Sequence, residues 1–127
     1  MLILSAADMI RDNKLIYLLD LDGEILVQGG GYWVKIEARE CDPSPQLPHG
    51  ISYSLTLHDK YGKRMLGFDN AHAAPKVSGR FSARRVEFDH WHPDGRTIKA
   101  YDYTDPGKLL EDFFAAVDQV LKGRDVT

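Results

Sequence analysis

The sequence has little of what covalently braces a secreted domain or anchors a chain in a membrane. Its 127 residues include one cysteine, Cys41, so no disulfide can form within the chain. A secreted domain of this size more often carries paired cysteines. No apolar run approaches the ~20 residues that span a bilayer. The apolar residues 1–5 lack the basic segment of a signal peptide. We therefore expect a cytoplasmic protein that does not associate with membranes.

Motifs that identify common cofactor sites are also missing. The chain has no Cys-x-x-Cys pair, no phosphate-binding glycine loop and no HExxH sequence. Three consecutive glycines at 29–31 lack the strand–helix context of a nucleotide site, and they indicate a strand break or bulge. The expectation is a protein that needs no cofactor.

The length and composition are those of an ordinary globular domain. Hydrophobic residues make up 43% and charged residues 28% of the chain, values typical of soluble proteins. No repeat, low-complexity tract or linker divides the sequence, so residues 1–127 are predicted to form a single domain.

The hydrophobic pattern predicts an α+β fold. Apolar and polar residues alternate along 32–40 and 51–58, as in strands with one buried face. Further strands are predicted at 15–21, 24–28, 64–68, 84–92 and 97–103, and a short helix at 5–11. At the C-terminus, Asp105 and Pro106 open a helix with an apolar stripe from Leu109 to Leu121. We predict an antiparallel β-sheet of about six strands packed by one C-terminal amphipathic helix, with a short N-terminal helix.

Charge is distributed unevenly along the chain. Residues 59–85 hold seven basic residues against two acidic ones, whereas the segments on either side are acidic. A basic segment between acidic ones is suited to meeting phosphate groups. From charge alone, an ordinary solvated basic loop is the simpler interpretation.

Histidine is the most informative residue type. His90 and His92 are two apart on a predicted strand, so both rings point to one face. With His72, and Asp69 beside it in the preceding segment, they could perform acid–base chemistry on a phosphodiester. The same three histidines would be the only candidate zinc ligands. The alternative is a histidine pair at a strand end with no chemical role.

Several cations and one tyrosine are candidates for holding a phosphate near these histidines. Arginine beside histidine suits this chemistry because it offsets charge that develops on the phosphate. Tyr101 would approach the histidine face in only one strand register, in which His90 lies opposite Ile98 or Lys99. The candidate substrate-binding residues are Arg84, Arg85, Arg96, Lys99 and Tyr101.

Three stretches together resemble the TumE-type toxins of bacterial toxin–antitoxin systems. They are Leu66-Gly67-Phe68-Asp69-Asn70-Ala71-His72, Phe88-Asp89-His90-Trp91-His92, and Tyr101-Asp102-Tyr103-Thr104-Asp105-Pro106 followed by Leu109-Leu110-Glu111-Asp112-Phe113. The resemblance implies a toxin that inhibits growth by cutting or modifying RNA, with a helix-turn-helix antitoxin as its partner. It points to Asp69, Asn70, His72, His90 and His92 as catalytic residues. The chain departs from the family at Ala73, where a second histidine is common.

Three hypotheses therefore remain open. A metal-independent endoribonuclease requires the histidines to converge in a cleft lined by arginine. A non-enzymatic module that binds RNA or protein requires a flat basic face with separated histidines. A metal-dependent enzyme requires ring nitrogens of His72, His90 and His92 that converge on one point.

Overall fold

The computed structural model describes residues 14–45, 47–70 and 89–124, and it confirms the α+β class. One six-stranded antiparallel sheet carries its strands in the order of the sequence. The strands are β1 Ile25–Val27, β2 Trp33–Glu40, β3 Ile51–His58, β4 Arg64–Asp69, β5 His90–His92 and β6 Lys99–Ala100. Residues 14–20 form helix α1, and Pro106–Gly123 form helix α2.

The centre of the sheet is the hairpin of β2 and β3, where the predicted alternation holds. The two strands pair in register from Trp33 opposite His58 to Glu40 opposite Ile51. Their inward residues are fully or almost fully buried. The core that they build with β4 and the two helices consists of Leu18, Val34, Ile36, Ala38, Ile51, Tyr53, Leu55, Leu57, Met65, Leu66, Phe68, Leu109, Leu110, Phe113, Val117 and Leu121.

Helix α2 closes the core over one face of the sheet. The Asp105 carboxylate accepts a hydrogen bond from the backbone N–H of Lys108, which confirms it as the N-cap, and Pro106 occupies the first helical position. Phe113 meets Phe68 edge to face with ring centroids 5.7 Å apart. The helix therefore lies against the face to which Leu55, Phe68 and Trp91 point.

The predicted strand at 15–21 is wrong, because residues 14–20 are helical. Leu18 is fully buried, Leu15 and Leu19 pack partly against the core, and Ile16 and Tyr17 are exposed. This spacing of buried residues is that of one helix face. The segment at 24–28 does form a strand, but β1 pairs with β2 rather than with 15–21.

The sheet face opposite α2 carries the chemistry, and we call it the outer face. Cross-strand partners share a face of the sheet. Gly67 is opposite both Thr56 and His92, and Asp69 is opposite His90. The alternation along β4 and β5 thus places Asp69, His90 and His92 on the outer face.

The pairing of β5 with β6 differs from the expected register. His90 lies opposite Ala100 and Trp91 opposite Lys99, so the connection after β5 is longer than a tight turn. The predicted helix at 5–11, and the part of the predicted 84–92 strand before residue 89, lie outside the described residues.

Candidate active site

Asp69 lies between the two histidines of β5. Its Oδ2 atom is 2.9 Å from Nε2 of His92, and its Oδ1 atom is 3.8 Å from Nδ1 of His90. The two imidazole rings have centroids 6.5 Å apart. Their spacing follows from the strand, because residues two apart on a strand project from the same face. One carboxylate therefore serves both rings.

The ring of His92 is fixed at both nitrogens. Nε2 meets the Asp69 carboxylate, and Nδ1 lies 3.2 Å from the backbone carbonyl oxygen of Thr97. A carbonyl oxygen and an ionised carboxylate both accept hydrogen bonds. Both ring nitrogens of His92 therefore face acceptor oxygens, one from a side chain and one from the backbone.

The histidines line a small cavity on the outer face. His90 is 8% and His92 7% exposed. The cavity has a volume of about 360 Å³ and is lined by Arg64, Asp69, His90, His92 and Ile98. A space of this size, containing two imidazoles, one carboxylate and one guanidinium, suits a small charged group such as a phosphate.

Arg64 was not among the predicted site residues, and the structure places it at the cavity. It opens β4, and its Nε and Nη2 atoms both donate to the carbonyl oxygen of Gly95, at 3.1 and 2.8 Å. These two bonds fix the orientation of the guanidinium plane before any ligand arrives. A cation held in this way loses little conformational freedom when it binds an anion.

The turn that holds Arg64 depends on Gly95. This residue has a φ of +82°, and a Cβ atom there would lie 2.1 Å from the backbone oxygen of Arg64. Both facts favour glycine at this position. Asp94 braces the same turn by accepting hydrogen bonds from the backbone of Arg96 and from the backbone and hydroxyl of Thr97. The bonds from Thr97 hold the pKa of Asp94 well below its usual range.

Gly67 lies on β4 beneath the cavity. A Cβ atom at this position would be 3.4 Å from Cδ2 of His92 and 3.6 Å from a methyl carbon of Thr56. The absence of a side chain on the outer face therefore leaves room for the His92 ring next to β4. Gly67 was not among the site residues predicted from the sequence.

Asn70, predicted to be catalytic, is committed to the backbone of β3. Its Oδ1 accepts from the Tyr53 N–H at 2.9 Å, and its Nδ2 donates to the Ile51 carbonyl at 2.8 Å. It is 3% exposed. The side chain continues the β-ladder past the end of β4, and the structure gives it no contact with the two histidines.

Three predicted substrate-binding residues lie away from the cavity. Tyr101 packs edge-on against Phe68, and its hydroxyl donates to Asp112 of α2. Lys99 holds its Nζ 5.8 Å from the ring centroid of Trp91, on the α2 side. Arg96 lines a separate groove of about 440 Å³ beside the C-terminal end of α2.

The remaining predicted residues, His72, Arg84 and Arg85, lie outside the described residues. Among the residues that the structure does describe, no group of three or more His, Cys, Asp or Glu side chains is arranged to hold a metal ion. A metal bound through His92 would displace one of the two contacts that fix its ring. The set of His72, His90 and His92 stays a prediction.

A second histidine–carboxylate pair occupies the α2 side of the sheet. Asp89 accepts a hydrogen bond from the Tyr53 hydroxyl at 2.8 Å, and its other oxygen is 3.7 Å from Nε2 of His49. His49 packs on the Tyr103 ring at 4.1 Å. Burial raises the pKa of Asp89, although the Tyr53 hydrogen bond and the nearby His49 and His90 act in the opposite direction. This cluster joins His49, in the chain between β2 and β3, to the sheet.

The family comparison agrees with the resemblance in the sequence. A family model described as Toxin TumE matches residues 7–121. No curated protein and no solved structure matches the chain. Within the described part of the chain, none of the helices combines the length and apolar character needed to cross a membrane.

Proposed function

The chain belongs to the TumE toxin family, and we propose that it is a metal-independent endoribonuclease that uses histidine acid–base chemistry in the cytoplasm. The proposal includes a helix-turn-helix protein as its antitoxin. Membership of the family identifies the chain as a toxin. The RNA substrate and the histidine chemistry are what we propose.

One observation carries the proposal: Asp69 joins two buried histidines in a cavity that also holds Arg64. Cleavage of RNA through its own 2′-hydroxyl needs a base for the attacking oxygen, an acid for the leaving oxygen and positive charge near the phosphate. The cavity contains residue types for the base and for the positive charge, and the proposal takes the acid from a further histidine.

His90 is the proposed general base. The Asp69 carboxylate faces its Nδ1, which favours the tautomer that carries hydrogen there, and the proposed mechanism assigns proton acceptance to Nε2. Nε2 takes the 2′-hydroxyl proton as the 2′-oxygen attacks phosphorus. The bond to the 5′-oxygen breaks, and the products are a 2′,3′-cyclic phosphate and a 5′-hydroxyl.

His92 and Arg64 supply the positive charge in this mechanism. His92 is held between Asp69 and Thr97, and the Arg64 guanidinium is oriented by Gly95. Both lie at the cavity wall, where they offset the negative charge that develops on the phosphate oxygens. The proton for the leaving 5′-oxygen comes from a second histidine, for which His72 stays the candidate from sequence. Arg84 and Arg85 stay proposed phosphate contacts.

The binding-module hypothesis lacks an equivalent observation. A flat basic face would hold its histidines apart and exposed, whereas His90 and His92 share one carboxylate inside a cavity. The arrangement favours catalysis because buried titratable groups brought together in a cavity are typical of active sites.

The test is cleavage of RNA by the purified chain in the presence of EDTA. We expect a 5′-labelled single-stranded RNA to yield fragments with 2′,3′-cyclic phosphate ends, and a substrate lacking the 2′-hydroxyl at the cleaved position to resist. His90→Ala should lower the rate at least about 100-fold and abolish growth arrest on induction. Arg64→Ala should also lower the rate of RNA cleavage.

His58→Ala is the matched control. His58 also lies on the outer face, but it is stacked on Trp33 with ring centroids 4.1 Å apart and does not line the cavity, although Arg64 is its cross-strand partner. This variant should cleave RNA as the wild type does. Growth arrest by the wild type without cleavage of any cellular RNA would overturn the ribonuclease proposal, and so would full activity in a folded His90→Ala variant.

A further inference from the structure

The edge strand β1 has an unusual composition for a sheet edge. Ile25 is 56% and Val27 81% exposed, and both lie on the outer face. The strand has no charged residue, no proline and no bulge within its three residues. Edges in monomeric proteins are more often protected by such features, because an apolar edge invites another strand to pair with it.

The backbone of β1 is also available for pairing. Glu24 and Gln28 hydrogen-bond to Ile36 and Tyr32, on the β2 side. Since the bonds of an antiparallel pair alternate along the strand, the N–H and C=O groups of Ile25 and Val27 point away from β2. Within the described ranges, no hydrogen bond involves these outward groups.

The exposed edge continues onto the outer face of the sheet. Val27 is opposite Trp33, which is half-buried and stacked on His58. Ile25, Val27 and Trp33 together form an apolar corner at the end of the sheet remote from His90 and His92. We call these three residues the edge patch.

We propose that the edge patch is the docking site for an extended segment of the antitoxin, which adds to β1 as a seventh strand. This inference rests on the proposed toxin–antitoxin function. The segment pairs with the outward backbone groups of Ile25 and Val27. Apolar side chains at every second position of the segment cover the edge patch.

The size of the edge argues for an antitoxin segment rather than a second copy of this chain. Two copies of a three-residue strand would engage only Ile25 and Val27 in each, which leaves an interface well below the ~1,000 Å² of a specific one. A longer foreign segment can add area where it turns, beyond the strand paired with β1, across Trp33 onto the outer face. β5 lies four strand spacings from β1, a distance of about 19 Å. Because His90 and His92 of β5 also point to the outer face, a segment that runs along this face could reach the cavity.

The experiment uses the full chain and its cognate antitoxin, purified separately and titrated in a calorimeter. Val27→Pro removes an outward N–H while leaving the ladder between β1 and β2 intact. Ile25→Lys/Val27→Lys places charges in the edge patch. We expect each variant to weaken antitoxin binding by about tenfold or more and to escape antitoxin rescue in cells. In the wild-type complex, amide hydrogen exchange should slow at Ile25 and Val27.

Tyr61→Lys is the control, because Tyr61 is an equally exposed apolar residue in the β3–β4 turn. It should bind antitoxin as the wild type does. Binding and RNA cleavage are measured separately, so a chain that binds antitoxin but cuts no RNA leaves this inference standing. Unchanged binding by the folded edge variants would overturn it. A wild-type dimer that Val27→Pro dissociates would assign the edge to a second copy instead.

Discussion

The carboxylate of Asp69 is in contact with Nε2 of His92 at 2.9 Å, although the two residues are 23 positions apart in the chain. The contact arises because β4 and β5 are neighbours, and it leaves the other Asp69 oxygen facing His90. A single carboxylate thereby contacts the ring of His92 and faces the ring of His90.

Asp69→Asn should abolish most of the activity without unfolding the protein. Asparagine keeps the size of the side chain but removes the negative charge that orients His90 and balances His92. We expect the RNA cleavage rate to fall about 100-fold or more. The measurement is single-turnover cleavage at neutral pH.

The control for that change is Asp102→Asn, which alters an exposed aspartate on the chain after β6. It should leave the cleavage rate within about twofold, because surface substitutions away from a site have small effects. If Asp69→Asn and Asp102→Asn cleave equally well, Asp69 does not orient the histidines.

Gly67→Val should block the cavity while leaving the sheet intact. Gly67 has no positive φ, and a Cβ there meets the edge of the His92 ring at 3.4 Å. The added methyl groups would enter the space that the ring and the substrate need. We expect RNA cleavage and growth arrest to be lost, with the free energy of unfolding lowered by about 1–3 kcal/mol.

Gly123→Ala provides the comparison, since no atom lies within 4 Å of a Cβ at that position. Its activity and thermal midpoint should stay near those of the wild type. A Gly67→Val protein that folds and retains wild-type cleavage would show that the substrate does not use this cavity.

Asn70→Ala separates a structural role from the catalytic one that the sequence suggested. The alanine leaves the Tyr53 N–H and the Ile51 carbonyl without their buried partners. We expect a loss of about 1–3 kcal/mol in the free energy of unfolding, measured by urea denaturation. Activity per folded molecule should stay close to that of the wild type, and a large fall in it would restore Asn70 to the active site.

Asp89→Asn should change the pH dependence of stability. The folded pKa of Asp89 lies above its unfolded value of about 3.9. The folded protein therefore holds the proton more tightly, and its stability falls as the pH rises from about 4 through the raised pKa. Asparagine keeps an acceptor for the Tyr53 hydroxyl without the buried charge.

Below pH 4 the Asp89→Asn variant should accordingly be no more stable than the wild type. Its gain in stability should appear above pH 4 and grow toward neutral pH. Thermal midpoints measured from pH 3 to pH 8 give the comparison. A difference between the two proteins that stays constant with pH would mean that Asp89 does not titrate within this window.

Much of the fold was predictable because its patterns are local. The alternation in β2 and β3 and the helix start at Asp105 and Pro106 each depend on neighbouring residues. Helix α1 was missed because its exposed face carries Ile16 and Tyr17, which turn a helical spacing into a continuous apolar run. Such short runs do not distinguish strand from helix.

The site was only partly predictable because its contacts join residues that are far apart in the sequence. Period-two spacing placed His90 and His92 on one face, and Asp69 was found beside His72 in the sequence. Arg64 went unnoticed because its anchor, the Gly95 carbonyl, is 31 positions away. Lys99 and Tyr101 were expected near the histidines, but their alternation points them toward α2.

The alternation of β4 and β5 separates the residues that fold the protein from those proposed to make it toxic. Leu66, Phe68 and Trp91 face α2, whereas Asp69, His90 and His92 face the cavity. A cell that escapes poisoning through a point mutation on the cavity face would thus keep a folded chain with its edge patch intact. By the proposed docking, that inactive chain would still bind antitoxin through its edge patch. A second, active toxin that the same antitoxin neutralises would then be left without its inhibitor.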